Sequence, residues 1–283
     1  MEIKKVGVVG IGTMGHGIVQ VSAEGGYQVV VRDETEEFLK RGIAAIDKVL
    51  TRNIEKEKIT QKDKDAILSR IKTTTDFKDF ADCDLVIEAA FENIDVKKKI
   101  FSELDNVCRK DAILGTNTSC LSVIEIAMAT KRPDKVLGIH LFNPVQVMQL
   151  LEIVRTIATS DEAAATARTW GETVGKKCVL AKDTPAFIVN ALFIPYLLDA
   201  IRMYEAGVAS REDIDTAVRT GLNYPMGPLT LSDFSGLDII KLVADSMYEQ
   251  TRDPKWASPI LLQKMVAAGW YGRKTGKGFY DYT

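Results

Sequence analysis

The sequence is poor in the residues that several classes of protein depend on. Its 283 residues include only four cysteines, and none of these stands in a C-x-x-C pair or at the spacing of a metal site. We therefore expect no disulfide framework and no metal centre. The sequence predicts reduced, buried thiols in a cytoplasmic protein, at Cys83, Cys108, Cys120 and Cys178.

An excess of charge of one sign and long apolar runs are also missing. Lysine and arginine number 37 against 39 acidic residues, which gives no attraction for nucleic acid or an anionic membrane surface. The longest apolar stretch, 186–198, contains Asn190 and Pro195 and is too short to span a bilayer. Because Met1–Lys5 leads directly into an apolar strand, we expect no signal peptide. We expect no nucleic acid and no membrane among the partners.

The N-terminal region carries a glycine-rich turn between two strands. The apolar run Val6–Val9 is followed by the pattern G-x-G-x-x-G from Gly10 to Gly15, then by a helical pattern and the apolar run Val29–Val31. About twenty residues after the glycines, the second strand ends at Asp33. This order of elements predicts a dinucleotide-binding site, whereas a glycine-rich turn without a ligand is the alternative.

Each residue of this turn has a physical task in that interpretation. Gly10 permits the tight turn, Gly12 lets the backbone approach a pyrophosphate, and Gly15 lets the helix pack against the strand. Free N–H groups at the start of the helix attract the anion, which adds Thr13 and Met14 to the site. The Asp33 carboxylate accepts hydrogen bonds from ribose hydroxyls and repels a 2′-phosphate, so we expect NAD. Arg32 would favour NADP, which is the alternative.

The chain predicts two domains that meet near Pro185. Before Pro185, strand-like runs alternate with helical segments, which predicts an α/β, mostly parallel sheet covered by helices. These runs are 71–74, 84–90, 112–116, 136–140, 150–154 and 177–180. Between the second and third strands, 36–70 predicts two helices, and after Pro185 only helical patterns remain, at 186–205, 210–221, 237–250 and 259–268. We expect a Rossmann-like domain over 1–184 and a smaller all-helical domain over 185–283.

A dehydrogenase that oxidises an alcohol needs a general base as well as a dinucleotide. Histidine suits that role near neutral pH. Of the two histidines, His16 lies inside the phosphate-binding helix, whereas His140 ends the strand 136–140. Ligands of open α/β sheets bind at such strand ends, although a histidine there is often only structural. Glu152 lies within an apolar strand, where an unpaired charge is costly, and His140 is a natural partner for it.

Two other polar residues occupy positions that packing alone does not favour. Asn190 interrupts the apolar helix that opens the second domain. A core amide with satisfied hydrogen bonds is the simpler interpretation of that residue. Ser119 follows the strand 112–116, and a helix N-cap is its simpler interpretation. Taken singly, neither residue identifies a substrate site.

Several motifs resemble those of the 3-hydroxyacyl-CoA dehydrogenase family, and together they cover almost the whole chain. They are Gly10–Gly15, Glu88–Asn93, Asn117–Ser119, His140–Pro144, Asp183–Asn190, Tyr224–Pro228 and Lys274–Tyr280. The resemblance implies an NAD-dependent oxidoreductase that interconverts a short-chain (S)-3-hydroxyacyl-CoA, such as (S)-3-hydroxybutyryl-CoA, and its 3-oxo form, acetoacetyl-CoA in that case. The family fold implies a homodimer formed through the helical domain.

The resemblance also assigns roles to single residues. His140 matches the family's catalytic base, and Glu152 the carboxylate that orients it. Ser119 and Asn190 match polar groups that hold the reacting end of the substrate. The positions that match dinucleotide contacts are Glu92, Lys97, Asn143 and Lys274.

The coenzyme A contacts depart from the family pattern. Animal members carry a serine and a lysine on the helix after Asp33, and alignment places Ile46 and Asn53 at those positions. Arg52 and Lys56 lie nearby and are the expected substitutes. Two alternatives stay open: another β-hydroxyacid dehydrogenase that uses a catalytic lysine in the helical domain, and a dinucleotide-binding protein without turnover.

Overall fold

The computed structural model describes residues 2–282, which divide into two compact units at the bond between Thr184 and Pro185. The first unit is built on an eight-stranded sheet in the order β3-β2-β1-β4-β5-β6-β7-β8. The strands are β1 (Lys5–Val9), β2 (Gln28–Arg32), β3 (Ile71–Thr74), β4 (Leu85–Glu88), β5 (Ile113–Thr116), β6 (Val136–Leu141), β7 (Leu150–Arg155) and β8 (Lys177–Lys182). Neighbouring strands are parallel except that β7 runs antiparallel to β6. The order 3-2-1-4-5-6 is that of a Rossmann fold.

Helices connect these strands and cover the sheet. They are α1 (Gly15–Glu24), α2 (Glu36–Glu55), α3 (Gln61–Ser69), α4 (Ile94–Val107), α5 (Val123–Ala127) and α6 (Asp161–Thr173). The two helices expected over 36–70 are α2 and α3, and a capping box of Thr60 and Asp63 begins the second. The hydroxyl of Thr35 likewise accepts a hydrogen bond from the Phe38 N–H and begins α2.

The core of the first unit lies on both faces of the sheet. Val29 and Val31 of β2 pack in one apolar cluster, whereas Val30 between them packs in another. Alternate residues of a strand point to opposite faces, and both faces here are covered. This burial explains why the strands are continuous apolar runs, and why a carboxylate within one of them requires a partner.

The second unit is helical. Its helices are α7 (Val189–Glu205), α8 (Arg211–Gly221), α9 (Pro228–Ser235), α10 (Leu237–Thr251) and α11 (Ile260–Ala267). Within its described residues, β-structure is limited to isolated bridges such as Gly272 with Lys277. The predicted fold class, a Rossmann-like α/β domain followed by a smaller all-helical one, is confirmed.

Two details of the prediction for this unit were wrong. α7 begins at Val189 and not at residue 186, because Ala186 and Phe187 have φ angles of 65° and 56°. Left-handed backbone of this kind cannot continue a right-handed helix, so Pro185 and the three residues after it lie before α7. The helix α9 was not predicted, since its eight residues are too few for a clear helical period.

The structure also shows how deeply the cysteine thiols are buried and how long and apolar the helices are. None of the four cysteines forms a disulfide, but only Cys83, Cys108 and Cys120 are buried. Cys178 is half-buried because it lies on β8, the edge strand of the sheet, so the expectation of four buried thiols was wrong there. Across residues 2–282, no helix is both long enough and apolar enough to cross a membrane.

Candidate active site

The six parallel strands β1 to β6 have their C-terminal ends at one edge of the sheet, and most of the predicted residues lie there. At the end of β1, Gly10 takes a φ of 92° and begins the turn into α1. A β-carbon on Gly15 would lie 1.8 Å from the carbonyl oxygen of Gly10, so only glycine allows this packing. A β-carbon on Gly12 would meet no atom within 4 Å, which leaves the turn open to a ligand. Thr13 and Met14 lead into the first turn of α1, and no side chain caps the N-terminus of that helix.

Asp33 follows β2 and lies beside this turn. Its carboxylate accepts hydrogen bonds from the backbone N–H of Ile11, at 2.8 Å, and of Glu34, at 2.7 Å. Arg32 is held elsewhere: its guanidinium lies 4.5 Å from the ring centre of Phe77, and its Nε donates to the carbonyl of Thr75. An open glycine turn, a helix N-terminus and a fixed carboxylate fit the pyrophosphate and ribose of a dinucleotide.

His140 and Glu152 are brought together by the one antiparallel strand pair of the described sheet. They are opposite each other in the register of β6 and β7, and 2.6 Å separates Nδ1 from Oε2. His140 is 4% exposed and Glu152 is fully buried. The ring of Phe142 lies 4.5 Å from the imidazole, centre to centre. Because a carboxylate only accepts hydrogen bonds, Nδ1 is the donor and Nε2 is the nitrogen that can exchange a proton with a substrate.

A second buried ion pair lies at the ends of β4 and β5. The Lys97 ammonium, on the first turn of α4, is 2.7 Å from Oε1 of Glu88 and 3.2 Å from Oε2 of Glu92. Glu88 and Lys97 are almost completely buried, whereas the Glu92 side chain keeps 32% of its surface exposed. Sequence resemblance predicted that Lys97 contacts the dinucleotide. In the structure its ammonium is enclosed by the two carboxylates, and the predicted contact stays untested.

Glu92 in turn holds the segment after β5. Its Oε1 accepts hydrogen bonds from the Thr118 hydroxyl, at 2.5 Å, and the Ser119 backbone N–H, at 3.0 Å. Burial by itself raises the pKa of Glu92, but Lys97 and these two donors together lower it below its ordinary value. Ser119 is not a helix N-cap, since Ser122 occupies that position of α5.

The remaining dinucleotide contacts predicted from the resemblance lie outside the strands and α-helices, Asn143 in a loop and Lys274 in a short 3-10 helix. Asn143 is exposed in the connection between β6 and β7, and the peptide bond that joins it to Pro144 is cis. The carbonyls of this connection at Val145 and Met148 accept hydrogen bonds from the buried ammonium of Lys176. In the second unit, Lys274 forms an ion pair of 2.6 Å with Asp238.

Besides Ser119, the predicted substrate contacts lie on two helices, α2 and α7. Arg52 and Lys56 are exposed at the C-terminal end of α2, four residues apart and therefore on one side of it. Ile46, at a position where the family's animal members contact coenzyme A, is fully buried and belongs to the core. Asn190 is the second residue of α7 and is half-buried.

Sequence reasoning gave no role to Glu88. The signal was available, because Glu88 ends the apolar run Leu85–Ile87 in the way that Glu152 interrupts β7. Asp238 was missed as well, and as an acidic residue in the first turn of a helix it carries no distinctive signal.

Comparisons with known proteins agree with this geometry. The family model for the 3-hydroxyacyl-CoA dehydrogenase NAD binding domain matches residues 5–184, and the model for the C-terminal domain of that family matches 187–282. A 3-hydroxybutyryl-CoA dehydrogenase of Mycobacterium tuberculosis is 49% identical over 282 residues, 99% of each chain. One from Clostridioides difficile is 44% identical over 278 residues, covering 98% of this chain and 99% of the relative. The crystal structure of (S)-3-hydroxybutyryl-CoA dehydrogenase from Ralstonia eutropha superposes with a TM-score of 0.96 at 41% identity and covers all of both chains.

Proposed function

Because the chain belongs to the 3-hydroxyacyl-CoA dehydrogenase family, and is thus an NAD-dependent oxidoreductase, we propose that it interconverts (S)-3-hydroxybutyryl-CoA and acetoacetyl-CoA with NAD(H). The relatives that match its full length carry that activity in their names. The observation that supports the proposal most strongly is the buried pair of His140 and Glu152 at the edge of the sheet where the glycine turn lies.

The residues of this chain handle the proton of the reaction. In the oxidative direction Nε2 of His140 takes the proton of the 3-hydroxyl group, and Glu152 stabilises the imidazolium through its bond to Nδ1. When bound, NAD⁺ supplies the acceptor for the electron pair that leaves carbon 3 with its hydrogen. In the reductive direction the protonated imidazole returns a proton to the carbonyl oxygen. General-base assistance of this kind contributes a factor on the order of 10² to 10⁴ to the rate.

Other side chains bind and orient the two ligands. The turn from Gly10 to Gly15 receives the pyrophosphate, and Asp33 receives the adenosine ribose. Glu92, Lys97, Asn143 and Lys274 are the further dinucleotide residues. Ser119 and Asn190 hold the reacting end of the substrate, a positioning effect that shortens the path of the reaction. Arg52 and Lys56 attract the phosphates of coenzyme A.

A homodimer through the second unit is the expected assembly of this cytoplasmic enzyme. More than half of the large apolar side chains that are exposed among the described residues lie after Pro185, although that unit is the smaller one. They include Leu192, Leu222, Phe234, Leu242 and Ile260. Apolar surface of this extent favours burial against a second copy.

A steady-state assay tests the proposed reaction. Reduction of acetoacetyl-CoA should consume NADH, whereas free acetoacetate should be reduced far more slowly because it lacks the coenzyme A moiety. Binding of NADH without any turnover of the thioester, or equal turnover of the free acid, would contradict the proposal. Ultracentrifugation of the same preparation tests the dimer.

A further inference from the structure

One buried carboxylate of the first unit has no part in the chemistry described so far. Glu88 is fully buried at the end of β4, and both of its oxygens are engaged. Oε1 accepts from the Lys97 ammonium at 2.7 Å and from the Ala90 N–H at 2.6 Å. Oε2 accepts from the Thr116 hydroxyl at 2.7 Å. These three contacts hold the carboxylate rigidly between β4, β5 and α4.

Stability alone does not account for this arrangement. Replacing a buried ion pair by apolar residues of similar volume is often neutral or stabilising, because burying two charges costs about as much as their attraction returns. The position of Glu88 suggests another role, since it lies on a strand of the rigid sheet. Sites supported by such strands hold their side chains more precisely than sites supported by loops.

The contacts of Glu88 continue into the predicted substrate site. Lys97 connects it to Glu92, and Glu92 accepts from the Ser119 N–H at 3.0 Å and the Thr118 hydroxyl. Each member touches the next, and each is a charge-assisted contact. We propose that Glu88 is a positioning residue that fixes Glu92 through Lys97, and through Glu92 the backbone of Ser119, where the reacting end of the substrate binds. The expected effect of Glu88 on kcat rests on the proposed function, whereas its expected effect on the backbone around Ser119 does not.

Glu88→Gln tests this proposal, with Asp84→Asn as the matched control. Asp84 lies just before the other end of β4, is buried, and accepts from the N–H groups of Lys4 and Lys5 as well as pairing with Arg109 at 2.6 Å. Both substitutions remove a buried charge, Glu88 at the end of β4 and Asp84 just before its beginning, so both should lower Tm. Only Glu88→Gln weakens the anchor of Lys97.

Three measurements separate positioning from stability. In Glu88→Gln, hydrogen exchange of the amides in 116–121 should become faster, and the Kd for NADH from fluorescence titration should rise. The kcat for acetoacetyl-CoA should fall about tenfold to a hundredfold, as expected when a reacting group is displaced by less than about 1 Å. Glu88→Asp, which keeps the charge, should recover part of each effect. Asp84→Asn should leave all three at their wild-type values.

The outcomes that would overturn the proposal are also distinct. Unchanged exchange at 116–121 in Glu88→Gln would do so, as would equal kinetic losses in Glu88→Gln and Asp84→Asn. If Glu88→Gln does not fold, Glu88→Asp replaces it, because withdrawing the carboxylate should still loosen the same amides. A wild-type protein that fails to reduce acetoacetyl-CoA would contradict the proposed function only, since the exchange measurement needs no turnover.

Discussion

Two buried ion pairs of the first unit each have their carboxylate on a strand of the sheet, and they differ in the cation. Glu152 is 2.6 Å from the imidazole of His140, and Glu88 is 2.7 Å from the ammonium of Lys97. Both carboxylates are completely buried. An imidazole can gain and lose a proton near neutral pH, whereas an ammonium only donates hydrogen bonds. A buried carboxylate can thus support proton transfer when its partner is an imidazole, and only a fixed geometry when its partner is an ammonium.

Removing the imidazole should give the largest effect and tests the first pair directly. His140→Ala should lower kcat by at least about 100-fold, the usual scale for a lost general base, with little change in the Kd for NADH. Steady-state kinetics and a fluorescence titration measure the two quantities. His16, whose ring bonds to the carbonyl of Gly12, is the control. His16→Ala should act on NADH binding instead, and a near-normal kcat in His140→Ala would contradict the mechanism.

The next effect should come from the carboxylate of that pair. Glu152→Gln should lower kcat by at least about tenfold, because the imidazolium loses its counter-charge. The double variant with His140→Ala should lose little more activity than His140→Ala alone, since residues that act as a unit are non-additive. A double-mutant cycle in kcat measures the coupling. Strictly additive losses would show that the two residues act independently.

Asp33 lies outside both ion pairs, and its replacement tests cofactor binding separately from proton transfer. Asp33→Ala should raise the KM for NADH, because the ribose hydroxyls lose a hydrogen-bond acceptor. It should also reduce the preference for NADH over NADPH by about tenfold, because the 2′-phosphate of NADPH is no longer repelled. The ratio of kcat/KM for the two cofactors measures this. Arg32→Ala is the control, since Arg32 is held against Phe77. A wild-type enzyme that prefers NADPH would contradict the assignment.

The smallest expected effect concerns pH and the second pair. The pKa of Glu92 is lowered, so its ionised form stabilises the folded state above the ordinary value of 4.5, and this stability is lost as pH falls through the lowered pKa. Urea unfolding gives the free energy of unfolding of wild type and of Glu92→Gln from neutral to acidic pH. The difference between these two free energies should shrink as pH falls below 4.5. A difference that is constant with pH would contradict this.

Glu24→Gln is the control, because the stability that Glu24 contributes should depend on pH in the opposite direction. Burial raises its pKa, although the hydrogen bond from Gln20 and the charge of Lys176 oppose the shift. A group of this kind favours folding below its unfolded pKa, and that contribution is lost as pH rises through the raised pKa. The stability of wild type relative to Glu24→Gln should therefore increase as pH falls, opposite to the trend at Glu92.

Local patterns predicted much of the fold and part of the site. The positions of the strands, the fold class and the family were predicted correctly, and the fold and family are confirmed by the structure and the comparisons. The beginning of α7 was not predicted, because nothing in the sequence around Ala186 and Phe187 indicates a left-handed backbone. The residue roles stay predictions that the variants above test.

The dinucleotide turn follows from the amino-acid sequence alone, because strand, glycines, helix and Asp33 are neighbours in the chain and each acts through local backbone geometry. The sequence also indicates that Glu152 needs a partner, since an apolar strand leaves a charge no solvent. The identity of that partner depends on the pairing of the strands, because antiparallel pairing of β7 with β6 places Glu152 opposite His140. In the same way, the enclosure of Lys97 between Glu88 and Glu92 depends on how α4 packs against the sheet. Contacts between distant segments follow from the order of the strands and the packing of the helices, whereas local periodicity indicates only the type of each element.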